Sequence, residues 1–374
     1  MRRWLRYGAA LWLLLSLLLC LPALAASRQP DVPIVHIVRP GDTLGELARR
    51  YATSVEAIAA ANDIANPDLI RVGERLLIPT SVSALPTTLP GPLTALRVSP
   101  QLPVQGETVT VIVEASEPVS LTGSFDGRPL RWVAEEPDAK DACRFWALAG
   151  VHALAEPGLH PLLVEATDGE GQRWAVNVEV FVQGGDFETA RIVLPPAASR
   201  LLEPELLRGE QERLAAVWGQ SSAQPLWQGT FVAPVRPFWP ITSAFGQRRA
   251  YNSGPASSYH EGVDYGAKQG ALVLAPAAGR VVLAEALTVR GNAVILDHGA
   301  GVHTGYWHLW QIFVEEGDEV RQGDPLGRVG NTGLSTGAHL HWELRVGDVA
   351  VDPLPWTQAA MPCGIAPCQK RAVT

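Results

Sequence analysis

Five side chains in the last third of this 374-residue chain have the types and spacing of a hydrolytic metal centre. They are His260-x-x-x-Asp264, His308 in Tyr306-Trp307-His308-Leu309, and His339-x-His341 in Gly337-Ala338-His339-Leu340-His341-Trp342-Glu343. Six of the nine histidines lie between His260 and His341. A catalytic zinc takes three protein ligands from imidazole and carboxylate groups and keeps one position open. Five such groups therefore supply a ligand set and leave histidines for proton transfer. His339 and His341 stand in a strand-like context, so period two places both rings and Glu343 on one face. His260 and Asp264, four apart around Gly262, suit a bend entering a strand better than a helix. Either pair alone is a weak signal. Glu343 reads equally well as a partner orienting a metal ligand or as a salt-bridged strand residue.

The elements that must position these groups follow from patterning. From about Thr230 to Trp356 the chain is β-rich, punctuated by Gly and Pro, with almost no helical period; residues 230–357 are expected to form one domain, and 358–374 a C-terminal tail. Residues 200–218 read as a helical connector, with Leu206, Leu207, Leu214 and Val217 apolar among Glu and Arg. Residues 95–185 show short runs at strand spacing. Thr108 to Glu114 alternates, and Asp126-Gly127 and Asp168-Gly169-Glu170-Gly171 are turn signals, which predicts an immunoglobulin-like β-sandwich acting as a spacer. His152 and His160 have no acidic or cysteine partner at ligand spacing and read as surface or core residues. His298 reads as a hydrogen-bonded structural residue and His303 as surface or core. Residues 80–94 form a Pro/Thr/Ser-rich linker.

Residues 34–79 read as a compact βααβ module. Thr43-x-x-Glu46 is a capping box, Ser54 caps a second helix, and Leu76-Leu77-Ile78-Pro79 closes the unit. With Val38-Arg39-Pro40-Gly41-Asp42-Thr43-Leu44 in front, this module resembles a LysM domain, which implies binding to N-acetylglucosamine-containing glycans such as peptidoglycan or chitin. Ile241 to Arg248, His260 to Asp264, Gly291 to Gly299, Tyr306 to Leu309 and Gly333 to Glu343 together resemble the lysostaphin/LytM-type zinc metalloendopeptidase family, from about Phe238 to Trp356. That resemblance implies an antiparallel β-sheet groove, zinc ligands His260, Asp264 and His341, and a catalytic pair of His308 and His339, with His339 the better candidate for general base. Tyr251 and Tyr259 are candidates for a further hydrogen-bond donor. The His-Glu-x-x-His motif of helical zinc peptidases is absent. The expected fold class is mainly β and multidomain.

Residues 1–25 combine Arg2, Arg3 and Arg6 with an apolar run from Leu11 to Leu19 and a small-x-small site ending at Ala25, which predicts a signal peptide and export. The chain has 30 basic and 38 acidic side chains. Removing the leader takes three arginines and no acids, leaving a formal charge of −11, which argues against nucleic acid as a partner. Cys363 and Cys368 are placed to close a small disulfide loop, with Cys143 left over. The expected function is a secreted endopeptidase with one zinc per chain, cutting peptide cross-links of peptidoglycan and tethered through the LysM module. The alternatives are a catalytically silent regulator of another wall hydrolase, or a zinc peptidase acting on non-wall proteins; a complete five-residue set disfavours the first.

Overall fold

The computed structural model describes residues 31–83, 85–135, 143–194 and 199–362; the expected signal peptide and the Cys363–Cys368 loop lie outside them. The first unit is a pair of antiparallel strands, β1 (Asp31–Ile37) and β2 (Arg75–Ser83), covered by helices α1 (Leu44–Arg50) and α2 (Val55–Ala61). Both helices start where capping chemistry requires. The Thr43 hydroxyl accepts from the Glu46 amide (3.2 Å) while the Glu46 carboxylate accepts from the Thr43 amide (3.1 Å). Ser54 accepts from the Ala57 amide at 3.0 Å. Leu44, Leu47, Ile58, Leu76 and Ile78 form the core, joined by Phe181 from the next unit.

That next unit is a sandwich of two four-stranded sheets. Its strands are β3 (Leu93–Ser99), β4 (Thr108–Ala115), β5 (Ser120–Phe125), β6 (Arg128–Pro129), β7 (Val133–Ala134), β8 (Cys143–Gly150), β9 (Gly158–Thr167) and β10 (Arg173–Val182). The sheet orders are β3-β4-β8-β7 and β10-β9-β5-β6. β4 departs from the expected alternation, because Thr108 to Val113 are all buried. Val109, Val111 and Val113 face the sandwich interior, whereas Ile112, with Val133, Trp146 and Leu148, packs against Trp227, Phe231, Val346 and Trp356 of the C-terminal region. The Trp356 indole also donates to Thr108 Oγ1 (3.1 Å). Period-two polarity fails where both faces of a sheet are covered. The sandwich is thus packed directly on the C-terminal domain.

The remaining elements are β11 (Thr189–Ile192), α3 (Pro204–Trp218), β12 (Ile241–Ser243), β13 (Arg248–Tyr251), β14 (Ala256–Tyr259), β15 (Gly262–Tyr265), β16 (Leu272–Leu274), β17 (Gly279–Leu287), β18 (Gly291–Gly299), β19 (Val302–Ile312), β20 (Glu319–Val320), β21 (Pro325–Val329), β22 (Leu340–Val346) and β23 (Val349–Val351). Ten of them form one sheet, with β12-β15-β22-β19-β18-β17-β20 in order, β23 beside β22, and β16 and β21 attached through β19. β11 pairs in parallel with β13, and β14 completes that small sheet. Residues 200–218 contain α3. It buries Leu214, Val217 and Trp218 against Leu283, Ile295 and Trp307, and its buried Glu210 accepts from the amides of Val289 (2.7 Å) and Arg290 (3.1 Å). No helix among the described residues is long and apolar enough to cross a membrane.

Candidate metal centre and its groove

Strand register brings the first two groups together. Asp264 of β15 lies directly opposite His341 of β22, and cross-strand partners project to one face. His260 joins them from the bend that enters β15. Both of its backbone groups are pinned there: its amide donates to Gln247 O (2.9 Å), and its carbonyl accepts from the Gly246 amide (2.8 Å). Gly262 is required inside the bend, since a Cβ there would stand 2.3 Å from the Trp342 carbonyl oxygen. His339 precedes His341 by two residues and shares its face. His308 arrives through an irregularity. β19 pairs with β22 up to Trp307 and with β21 from Leu309, and the register against β18 shifts between Asn292 and Val294. At this pivot His308 has φ +63°, a left-handed backbone that re-aims its side chain.

The candidate ligand atoms converge. His260 Nε2 lies 2.9 Å from Asp264 Oδ1 and 2.8 Å from His341 Nδ1, and His341 Nδ1 lies 2.9 Å from the same Oδ1. A carbonyl oxygen only accepts, so contacts to carbonyls fix the tautomers. Nδ1 of His260 donates to Ala244 O (2.8 Å), with Ser243 Oγ at 3.0 Å, which leaves Nε2 as a lone-pair donor facing a carboxylate and a second ring nitrogen. A cation between them completes such a set of electron pairs, and its two imidazoles and one carboxylate fit zinc.

The same logic applies to the other two histidines. His308 Nδ1 donates to Thr332 O (2.7 Å) and His339 Nδ1 to Gly337 O (2.8 Å), leaving each Nε2 as the acceptor. His339 Nε2 is 3.8 Å from Asp264 Oδ1, and the His308 and His339 rings are 4.9 Å apart. Burial pushes the His308 imidazolium pKa down to about 3, helped by His339 and His341 nearby. Burial likewise lowers His341 to about 3. Burial opposes ionisation of Asp264, but its contacts with the His260 and His341 rings outweigh it and hold the carboxyl below the usual range.

The five residues open on a groove of about 770 Å³. Several of its lining residues come from outside the strands that carry the site: His152 and Leu154 from the sandwich, Ile192 of β11, and Leu207 and Gln211 of α3. Sequence reasoning missed this role for His152. Leu154 N donates to His152 Nδ1 (3.0 Å), so Nε2 carries the hydrogen and donates to the Tyr259 hydroxyl oxygen (3.3 Å). Burial raises the Tyr259 pKa. Tyr251 also lines the groove. Arg249 and Ser243 were missed as well: Arg249 Nη2 reaches Asp264 Oδ2 (3.2 Å) and Ser243 Oγ (3.3 Å). The Arg248-Arg249 pair carries no sign of which side chain faces Asp264; that follows only once β13 is placed.

The remaining histidines are structural. His298 bridges Ala278 O (2.7 Å) and Thr304 Oγ1 (2.8 Å), His303 donates to Gln220 O (2.7 Å), and His160 donates to Glu156 O (2.7 Å). Glu343 shares the face of His341, yet its oxygens are taken by the Trp307 indole (2.9 Å) and the Arg345 guanidinium (2.5 Å). Burial works against the Arg345 charge, but the carboxylates of Glu343 and Glu261 outweigh it and raise the Arg345 pKa. Glu343→Ala leaves that guanidinium buried without its nearest partner and is expected to cost about 3 kcal/mol or more. Denaturant unfolding should show that loss while zinc affinity changes less than about threefold, below the range of an outer-shell partner; a tenfold loss of zinc affinity would assign Glu343 to the metal centre.

Comparison with known proteins matches residues 258–353 to Peptidase family M23 and residues 36–79 to the LysM domain. Over 113 residues the chain is 38% identical to the peptidoglycan DD-endopeptidase ShyA of Vibrio cholerae, covering 30% of this chain and 26% of that protein. Over 95 residues it is 44% identical to the DD-carboxypeptidase/endopeptidase Mpg of Neisseria meningitidis, covering 25% of this chain and 22% of that protein. The chain thus spans about a quarter of the length of these relatives. A crystal structure of an M23 peptidase from Pseudomonas aeruginosa aligns with 69% of this chain and 95% of its own at 25% identity and a TM-score of 0.49. The chain therefore carries a Peptidase family M23 domain over residues 258–353 and a LysM domain over residues 36–79.

Proposed function

We propose that this protein is an exported zinc endopeptidase that hydrolyses peptide cross-links of bacterial peptidoglycan and is held at the cell envelope by its LysM module. The observation that carries the reading is the convergence of His260 Nε2, Asp264 Oδ1 and His341 Nδ1 within 2.9 Å of one another beside His339. Bound zinc supplies a Lewis acid that acidifies water and polarises a carbonyl oxygen. The protein supplies the rest. His339, its Nδ1 anchored on Gly337 O, presents Nε2 to take the proton from the attacking water and return it to the leaving amine. His308, anchored on Thr332 O, presents Nε2 as a second acceptor that assists the proton transfer. Its low pKa keeps it neutral at neutral pH, so its role there is played by the imidazole form.

The DD-endopeptidase activity of ShyA and Mpg supports a D-alanyl cross-link as the bond cut. The proposed organisation is a signal peptide at 1–25, LysM at 34–79, a linker at 80–94, a sandwich at 95–185, a helical connector at 200–218, the peptidase domain at 230–357 and a tail at 358–374. The sheet orders of the sandwich support its immunoglobulin-like reading. Its packing on the peptidase domain supports a role in shaping the groove as well as spacing it from the LysM module.

The tether is tested by deleting residues 34–79, with Phe181→Thr in the same variant because Phe181 packs into the LysM core. Pelleting with insoluble peptidoglycan is expected to weaken about tenfold or more, while cleavage of a soluble cross-linked muropeptide persists. Unchanged pelleting would remove the anchoring role.

A further inference from the structure

Two arginines line the groove, and they differ in what they have left to offer. Arg290 is committed: its Nη1 lies 3.1 Å from Glu210 Oε1, its Nη2 lies 3.6 Å from Glu261 Oε2, and its guanidinium stacks 5.4 Å from the Trp307 ring. Arg249 uses only Nη2, on Asp264 Oδ2 and Ser243 Oγ. Its buried Nε has no partner, and no hydrogen bond is formed by Nη1 among the described residues. A guanidinium has five N–H donors in a planar fork matched to a carboxylate. Arg249 therefore brings the unspent donors of Nη1 to the groove wall beside the far oxygen of a candidate metal ligand, one carboxylate away from the reacting bond. Neighbouring Arg248 plays no part, since its Nη2 donates to Ala153 O of the sandwich (2.9 Å) and its guanidinium lies 4.9 Å from the Phe187 ring.

We infer that Arg249 is a carboxylate receptor that selects peptides in which the carbon bonded to the scissile nitrogen also carries a free carboxylate. This rests on the peptidase reading above and narrows its substrate. In such an amide the carboxylate carbon is three bonds from the scissile carbonyl carbon, about 4 Å away at most. A scissile carbonyl at the metal centre thus holds its neighbouring carboxylate within reach of a group that already touches Asp264. A D-alanyl cross-link to the carboxylate-bearing centre of a diamino acid has this arrangement. A glycine bridge, whose next carboxyl is tied up in an amide, does not. Arg249 acts as a specificity-determining residue and leaves proton transfer to the histidines.

The test uses the zinc-loaded full-length protein and two synthetic stem-peptide dimers joined by a D-alanyl amide, with the carboxylate beside the scissile nitrogen either free or converted to a primary amide. The wild type is expected to prefer the free carboxylate by about 10- to 100-fold in kcat/KM, the range of a charge-assisted hydrogen bond, chiefly through KM. Arg249→Gln is expected to bring the ratio close to one, and Arg249→Lys to leave it in between, because the charge stays while the fork is lost. The ratio is internal to each variant, so a general loss of activity or of zinc does not mimic the result. The wild type gives the same reading without any variant: the amine-side product with a free carboxylate should inhibit about tenfold more tightly than its amide. Equal handling of the two dimers by the wild type, or an undiminished preference in Arg249→Gln, would overturn the inference while leaving the peptidase reading intact. A zinc-loaded wild type that cleaves neither dimer would overturn both.

Discussion

His341→Ala is expected to lose zinc and hydrolysis together. His341 Nδ1 is one corner of the three-atom convergence, 2.8 Å from His260 Nε2 and 2.9 Å from Asp264 Oδ1. Without it the centre keeps one imidazole and one carboxylate, short of the three ligands a catalytic zinc requires. Zinc per chain, measured after dialysis, should fall from about one to near background. Cleavage of a cross-linked muropeptide should fall by more than about 100-fold, the upper end of what losing a mere outer-shell partner costs. The fold should survive, because Asp264 keeps its contacts with His260 and Arg249. A His341→Ala protein that is folded, zinc-loaded and active would remove the ligand assignment.

The companion variant separates chemistry from metal binding. His339→Ala should retain zinc within a few-fold while kcat drops by about 10²- to 10⁴-fold, the usual contribution of a positioned general acid or base. The distinction comes from geometry. His339 Nε2 stands 3.8 Å from Asp264 Oδ1, outside the 2.9 Å convergence, and its ring is held through Nδ1 by Gly337 O. Zinc affinity by chelator competition and kcat at saturating substrate read the two effects separately. Full turnover would end the base assignment, and loss of zinc would move His339 into the ligand set.

The two kinds of contact that build the site differ in how far they can be read from residues alone. His339-x-His341 and the bend at His260-x-x-x-Asp264 are local, so strand periodicity and turn chemistry are enough to place them. The capping box at Thr43 and Glu46 is legible for the same reason. The contacts of Glu210 with Val289 and Arg290, of Arg249 with Asp264, and of His152 with Tyr259 join elements from different parts of the fold. No spacing rule reaches across them. β4 shows the converse limit: its alternation of valines with Thr108, Thr110 and Ile112 reads as a half-exposed strand until the peptidase domain covers its outer face. The histidines show both outcomes together. His298 and His303 are buried structural residues, whereas His152, whose sequence neighbours are no more telling, lines the groove.

The most direct test of zinc-dependent cross-link hydrolysis is mass spectrometry of the fragments released from purified, cross-linked peptidoglycan by the full-length protein. Cross-linked muropeptide dimers should be converted to monomers, with one water added per bond and the glycan strands left intact. A chelator should stop the conversion and added zinc should restore it. Dimers that persist in the presence of zinc-loaded protein, or fragments cut in the glycan, would contradict the account.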